Sequence, residues 1–482
     1  MNVLLINPPY MPEERYGKDM AHFGPTTEPL GLAYLAGALE QAGHKVRIVD
    51  AMASGMSIKE IIEWVWLYID NLNETVSMGI SHEKKSWYDL IGITMLTPMY
   101  DKAKELIKGI KKEFPAIPIV VGGAHPTAMP EETLEDIPEI DYLVIGEGES
   151  TMPWLVKSLE ENESFHGAKI LTDDLIKDID DIPLPSRHLL PMAAYQITAS
   201  RNQGHHAYTV SVARGCPFNC GYCSRINGNK VRYHSVGRVI EEMMLLVDKY
   251  NAKEINLEAD TLTLNKTFVH SLCKEIIATG LNKRVSWTCE SRVDTVNYDM
   301  LAAMKEAGCW QISYGIESGT QRLLDFMQKG TNLDQIRKTI RITKDAGIGI
   351  RAFFMLGLPT ETEEDSKQTI SFAKELNAEW SQFTLFTPFP GTALYNYCRE
   401  KEGWIPPAWS DFKTHGGWEG GKLAYVPEDR TEEEMKSLQK WAYREVYIRP
   451  RTIYRFLKKK STWSNLPDYV RGFMTLLKSG LT

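Results

Sequence analysis

The residues best suited to chemistry lie in one short run, "ARGCPFNCGYCSR", which spaces Cys216, Cys220 and Cys223 as C-x3-C-x2-C. Three thiolates on one tight loop can bind three irons of a cubane cluster and leave the fourth iron open to an outside ligand. A structural zinc site asks for a fourth Cys or His at a second short spacing, and none follows. Cys273, Cys289, Cys309 and Cys398 stand alone in the sequence and read as small buried apolar residues. The start "MNVLLINPPY" has no basic stretch and no cleavage site, so the seven cysteines are expected to be reduced thiols or metal ligands in a cytoplasmic protein.

The elements that position this loop must come from a chain of 482 residues, 43% hydrophobic and 24% charged. That balance excludes a disordered chain, a fibre and a small disulfide scaffold. Runs such as "LLIN" fall far short of the roughly 18 apolar residues that span a bilayer. The net charge of −8 argues against general nucleic-acid affinity. It is unevenly spread. From Trp441 to Thr482, nine Lys/Arg face only Glu445 and Asp468, a net of +7, which leaves −15 on the rest.

Residues 1–160 alternate short apolar runs (2–7, 45–50, 90–96, 117–123, 141–148) with helical patterns such as Leu30 to Ala42. Near-continuous apolar strands separated by helices predict a parallel sheet buried on both faces, in a doubly wound α/β domain with its ligand at the strand carboxyl ends. Residues 161–205, with "KDIDDIPLPSRHLLP", read as an ordered linker draped over a surface. Over 206–400, strands at 207–213, 253–258, 284–289, 310–314, 349–355 and 381–386 alternate with helices, which predicts a partial or full parallel barrel. The cysteine run directly follows the first of these strands. Residues 401–482 form a helical, aromatic-rich accessory region with the basic tail.

With that context the chain resembles the radical S-adenosylmethionine (SAM) superfamily. The resemblance implies a [4Fe–4S] cluster on Cys216, Cys220 and Cys223 whose open iron chelates SAM. Reductive cleavage of SAM then gives a 5′-deoxyadenosyl radical. It also implies SAM contacts from the aromatic Tyr222, from Glu258 or Asp260 in "NLEADTL", from Arg292 in "WTCESRVD" and from Glu317 in "YGIESG". The segment "FFMLGLPTET" is implied to flank adenine.

The first domain resembles that of the cobalamin-binding subgroup. "GITML" is similar to the segment packed on the buried nucleotide tail of cobalamin, which implies contacts from Thr94, Met95 and Leu96. "VGGAHPT" is similar to the glycine pair that lets backbone approach that tail, which implies Gly122, Gly123 and His125. "IGEGE" adds Gly146 and Glu147. The D-x-H-x-x-G loop whose His reaches cobalt from below is absent. Cobalamin is therefore expected without a lower imidazole, with Met95 to Pro98 under the corrin.

These features imply a cobalamin-dependent radical SAM enzyme that methylates an unactivated carbon. A cyclisation or oxidation of the anaerobic Mg-protoporphyrin cyclase type remains the alternative, and a non-catalytic sensor a third. The implied partners are a small-molecule substrate and an electron donor of flavodoxin or ferredoxin type. Trp404, Trp409, Trp418 and "FTPFPGTALY" are candidates either for the substrate pocket or for core. In the tail, "YIRPRTIYRFLKKKSTW" interleaves basic with apolar residues, which suits either a helix docked on the acidic body or a peripheral contact with the inner membrane face and a lipid-like substrate.

Overall fold

Strand β1 (Asn2–Asn7) buries Val3, Leu4, Leu5 and Ile6 almost completely, as a central parallel strand covered on both faces must. The computed structural model describes residues 1–16, 24, 26–67, 87–162, 169–195, 203, 207–413, 421–458 and 470–474. It sets β2 (Lys45–Asp50), β3 (Leu90–Thr94), β4 (Ile119–Gly122), β5 (Tyr142–Ile145) and β6 (Ile170–Thr172) around β1, in the order β2-β1-β3-β4-β5-β6. Every pairing in this sheet is parallel. The chain reverses direction across the sheet between β1 and β3, so the carboxyl ends of these two strands border the ligand-binding crevice of such folds. Asn7 closes the end of β1 by donating to Asp50 at 2.9 Å, and Asp50 caps the helix that follows β2.

Two units divide the chain. One holds Met1–Met11 and Glu28–Ala194, the other Pro12–Thr27 and Tyr195–Thr482. The first unit thus runs past residue 160 and takes in the described part of 161–194. Ile170–Thr172 extends the first sheet by hydrogen bonding to β5. The acidic, proline-rich stretch then packs on the helix Leu30–Gln41. Ile179 and Ile182 enclose Tyr34, Ser186 N donates to Ala33 O at 2.9 Å, and a Cβ on Gly37 would stand 2.6 Å from Leu184 O. Prolines and short 3-10 turns conceal this packing from periodicity, because neither repeats.

In the second unit β7 (Ala207–Arg214), β9 (Glu254–Ala259), β10 (Ser286–Ser291), β11 (Cys309–Glu317), β12 (Gly349–Leu356) and β13 (Trp380–Leu385) are parallel. The two-residue β8 (Arg232–Tyr233) adds antiparallel to β7. The order β13-β12-β11-β10-β9-β7-β8 is an open six-stranded barrel with one return strand. Its helices begin at Ser, Asn or Thr caps: Ser235, Asn265, Asn297, Asn332, Thr362 and Thr392 each accept from an amide of the first turn.

The open edge at β13 is covered from outside the barrel. On the helix Glu432–Tyr447, Gln439 donates to Phe383 O at 2.8 Å, and Tyr447 both donates to Ser381 O and accepts from Ser381 N, each at 2.8 Å. Side chains thus replace the missing neighbour strand, which answers the hazard of an unpaired edge. The accessory region is therefore part of the barrel's construction. No helix among the described residues is long and apolar enough to cross a membrane.

Candidate active site and cofactor sites

The cysteine loop leaves the carboxyl end of β7 through Gly215, whose φ is +94°. A Cβ there would lie 2.1 Å from Lys230 O, so only glycine makes this exit. Bonds from outside the loop hold its path. Asp260 accepts from Gly215 N at 2.6 Å, Gly221 N donates to Met327 O at 2.8 Å, Leu394 N donates to Gly221 O at 2.8 Å, and Asn227 donates to Asp260 at 3.2 Å. Within the loop Cys223 N donates to Cys220 O at 3.1 Å. Three thiols on a backbone braced this way fit a polynuclear iron–sulfur cluster, one iron to each thiolate.

Asp260 was a candidate for SAM. In the structure its Oδ2 accepts from Gly215 at the start of the cysteine loop and from Asn227. Arg292 likewise contacts the loop. Its Nε and Nη2 hold Asp294 at 2.9 Å each, Nη2 donates to Lys329 O at 2.6 Å, Nη1 donates to Cys220 Sγ at 3.4 Å, and its plane covers Phe218 at 3.6 Å. Burial opposes the Arg292 charge, but Asp294 outweighs it and the pKa rises above its ordinary value. So Arg292 ties the cysteine loop to the end of β10.

Glu317 ends β11 after a register shift and carries φ +67°. A non-glycine residue there stores strain, which typically marks a constrained functional position. Its Oε1 accepts from Tyr222 OH at 2.9 Å and from Lys329 Nζ at 3.0 Å, while Lys329 also donates to Tyr222 OH at 2.8 Å. Both ionic side chains are close to fully buried. Burial, reinforced by the Glu317 carboxylate, raises the Tyr222 phenol well above its ordinary pKa, so it stays a donor. Sequence reasoning missed Lys329. It sits in an ordinary-looking helix exit, "MQKGTN", between Gln328 at φ +53° and Gly330 at φ +70°. Only the fold carries its side chain to the cysteine loop.

Strand alternation assigns the barrel interior. Tyr314 OH meets Thr343 of the helix Leu333–Asp345 at 3.0 Å, so Tyr314 faces the helix layer and Gln311 and Ser313 face inward. Thr288 and Asn256, bonded at 3.1 Å, share that inner face with Glu258 and Glu290. Glu258 is exposed there, and Glu290 is an inner-face carboxylate the sequence did not single out.

In the first unit the expected cobalamin residues separate into two groups. Leu96, 46% exposed, projects from the carboxyl end of β3, and Gly146 is exposed after β5 with nothing within 4 Å of its missing Cβ. Thr94 and Gly122 are half-buried at the ends of β3 and β4. Met95 is fully buried. Gly123, at φ +116°, owes its identity to the protein itself, since a Cβ would stand 2.7 Å from Met95 O. Glu147 is buried and accepts from Ile176 N at 2.9 Å.

His125 is 1% exposed, 3.1 Å from Thr97 Oγ1, and its ring lies tilted against Tyr100 at 4.6 Å. Burial lowers its pKa to about 4, so it is a neutral strut between the ends of β3 and β4. Of the residues for which the resemblance implied cobalamin contact, Met95, His125 and Glu147 are thus buried and Gly123 lies against Met95.

Two other expectations resolve. Trp404 donates to Ala424 O at 3.0 Å and packs edge-on against Tyr395 and Tyr425, and Trp409 lies on Phe412, so both are packing residues. Trp418 lies outside the described residues. Cys273, Cys289 and Cys309, isolated in sequence, are neighbours in the fold. Burial first, then the nearby thiols, pushes Cys309 far up and Cys273 up to about 12, so both stay unreactive thiols.

Comparison with known proteins matches residues 18–156 to the B12 binding domain and residues 210–373 to the radical SAM superfamily. An "uncharacterized methyltransferase" of Pyrococcus horikoshii is 35% identical over 470 residues, 94% of each chain. An anaerobic magnesium-protoporphyrin IX monomethyl ester cyclase of Cereibacter sphaeroides is 29% identical over 83% of this chain and 64% of its own. The solved structure of the cobalamin-dependent SAM radical enzyme OxsB, with aqua-cobalamin and SAM bound, shares the fold at a TM-score of 0.69 and 17% identity, over 96% of this chain and 72% of that one. Similarity from end to end at the level of the Pyrococcus relative, with both domain families matched, shows that this chain belongs to the cobalamin-dependent radical SAM enzymes.

Proposed function

We propose that the enzyme methylates an unactivated carbon of a small-molecule substrate and consumes two SAM per product. The observation that carries this reading is Leu96. The side chain offered at the carboxyl end of β3 is aliphatic and has no lone pair for cobalt, while the nearby His125 is buried and turned to Thr97. When bound, the iron–sulfur cluster supplies the electron that cleaves SAM, and cobalamin supplies a methyl group transferable to a carbon radical. Cys216, Cys220 and Cys223 hold the irons. Tyr222 and Lys329 fix Glu317 toward SAM, with Glu258 on the same inner face of the barrel. Arg292 and Asp260 keep the cysteine loop in place. Thr94, Leu96, Gly122 and Gly146 line the cobalamin crevice. A flavodoxin- or ferredoxin-type protein delivers the electrons. The 35% identity to the Pyrococcus relative over 94% of each chain supports methyl transfer over cyclisation, since the Cereibacter cyclase is 29% identical over 83% of this chain.

The test is stoichiometric. A nucleophilic carbon takes methyl directly from the SAM sulfonium, whereas an unactivated one must first lose a hydrogen atom. With deuterated-methyl SAM and substrate, S-adenosylhomocysteine and 5′-deoxyadenosine should form in equal amounts, and the product should gain the labelled methyl mass. 5′-Deoxyadenosine without S-adenosylhomocysteine or methyl incorporation would establish the cyclase-type reaction instead.

The crevice has its own test, independent of turnover. Cob(II)alamin bound to the parent protein should show no nitrogen splitting in its electron paramagnetic resonance spectrum, and Leu96→His should introduce it. An unchanged spectrum in Leu96→His would remove Leu96 from the lower face.

A further inference from the structure

Among the described residues, one face of the helix Pro450–Lys458 packs on the fold and the other carries an exposed apolar stripe. Its inner face is anchored. Thr452 is fully buried and donates to Val446 O at 3.0 Å, Arg455 donates to Asn377 O and Glu379 O at 3.3 and 3.2 Å, and Phe456 lies 5.0 Å from the Trp380 ring. Arg449, just before it, reaches Lys374 O at 3.3 Å. The helix is therefore fixed in orientation, and its other face points to solvent. That face carries Ile453 (37% exposed), Tyr454 (59%) and Leu457 (51%). At helical spacing these three form one stripe, bordered by the exposed Arg451 and Lys458. Lys458 Nζ lies 4.5 Å over the Tyr454 ring. Residues 470–474 repeat the composition, with exposed Val470, Phe473 and Met474 beside Arg471.

We propose that this stripe docks on an anionic lipid surface. Three features select lipid. Aliphatic and tyrosine side chains alternate with cations, the composition of helices that lie in the headgroup region. The stripe is held open by a helix whose opposite face is already packed, so it is not core awaiting closure. The charge is also divided, +7 in the last 42 residues against −15 elsewhere. An anionic bilayer attracts this end and repels the body, which gives the contact a single orientation.

The test uses the full-length protein and sedimentation with vesicles, either equal parts phosphatidylglycerol and phosphatidylcholine or phosphatidylcholine alone. The parent should pellet with the anionic vesicles, far less with the neutral ones, and less as salt rises. The double variant Arg451→Ser/Lys458→Ser should lose about fivefold in affinity per charge, and the triple variant Ile453→Ser/Tyr454→Ser/Leu457→Ser at least about tenfold. The substituted side chains face solvent, so unchanged melting curves should accompany the loss. Equal pelleting by parent and variants, or none at low salt, would overturn the proposal. Binding to an acidic flavodoxin in place of vesicles would overturn it too, and would assign the stripe to electron-donor docking. None of these results depends on methyl transfer.

Discussion

The triple variant Cys216→Ala/Cys220→Ala/Cys223→Ala should fold, bind cobalamin as the parent does, and retain no iron, no sulfide and no reductive cleavage of SAM. The separation of effects follows from how the loop is built. Its path depends on Gly215 and on backbone bonds to Asp260, Met327 and Leu394, none of which involves sulfur. The thiols contribute the metal ligands and little of the packing, since Cys223 is exposed and the other two are half-buried. The crevice at β3 and β4 belongs to the other unit of the chain. Iron and sulfide analysis after anaerobic reconstitution, circular dichroism and cobalamin retention on gel filtration measure the three properties separately. 5′-Deoxyadenosine formed by the triple variant would refute the assignment of the cluster to this loop.

The second large effect is expected at Lys329. Lys329→Met removes the cation from a nearly fully buried pair and leaves the Glu317 carboxylate with Tyr222 as its recorded donor. Breaking one side of a buried ion pair typically costs about 3–5 kcal/mol, because the remaining charge stays desolvated. The double variant Lys329→Met/Glu317→Gln removes that charge and should recover most of the loss, an interaction visible in a double-mutant cycle by urea unfolding. The consequence for function runs through geometry. Glu317 sits at φ +67°, and a Cβ on Gly315 beside it would meet the ends of the Glu317 and Lys329 side chains. A carboxylate so constrained loses its position when its partner is gone, so SAM affinity should fall even where iron content is preserved. A cost below about 1 kcal/mol, the range of exposed pairs, would show that the pair is not buried in solution.

Local patterns in this chain determined a great deal. The spacing of Cys216, Cys220 and Cys223 is contained in eight consecutive residues and needs no folding to be read. The apolar runs that became β1 and β7 are continuous because both faces of a parallel strand are covered, so strand order along the chain and both sheet types were legible. The absence of a D-x-H-x-x-G loop is a matter of sequence alone, and the fold adds that Leu96 stands exposed at the carboxyl end of β3.

Tertiary structure alone decided how side chains far apart in sequence share their bonds. Asp260 and Arg292 were visible as polar residues at barrel strand ends, but whether they face SAM or brace the loop depends on Gly215, Cys220 and Lys329, which lie 37 to 72 residues away in sequence. Lys329 itself carries no local signal, since a lysine leaving a helix is ordinary on a solvated surface. Gly123 and His125 looked like ligand contacts because small and aromatic residues suit a buried nucleotide. The same residues equally suit a close backbone crossing and a packed strut, and only the approach of Met95 and Tyr100 distinguishes these. The stretch 169–194 escaped periodicity because it packs through prolines and short turns. Hydrogen bonds and steric contact act between neighbours in space, and sequence reports neighbours in space only where an element repeats.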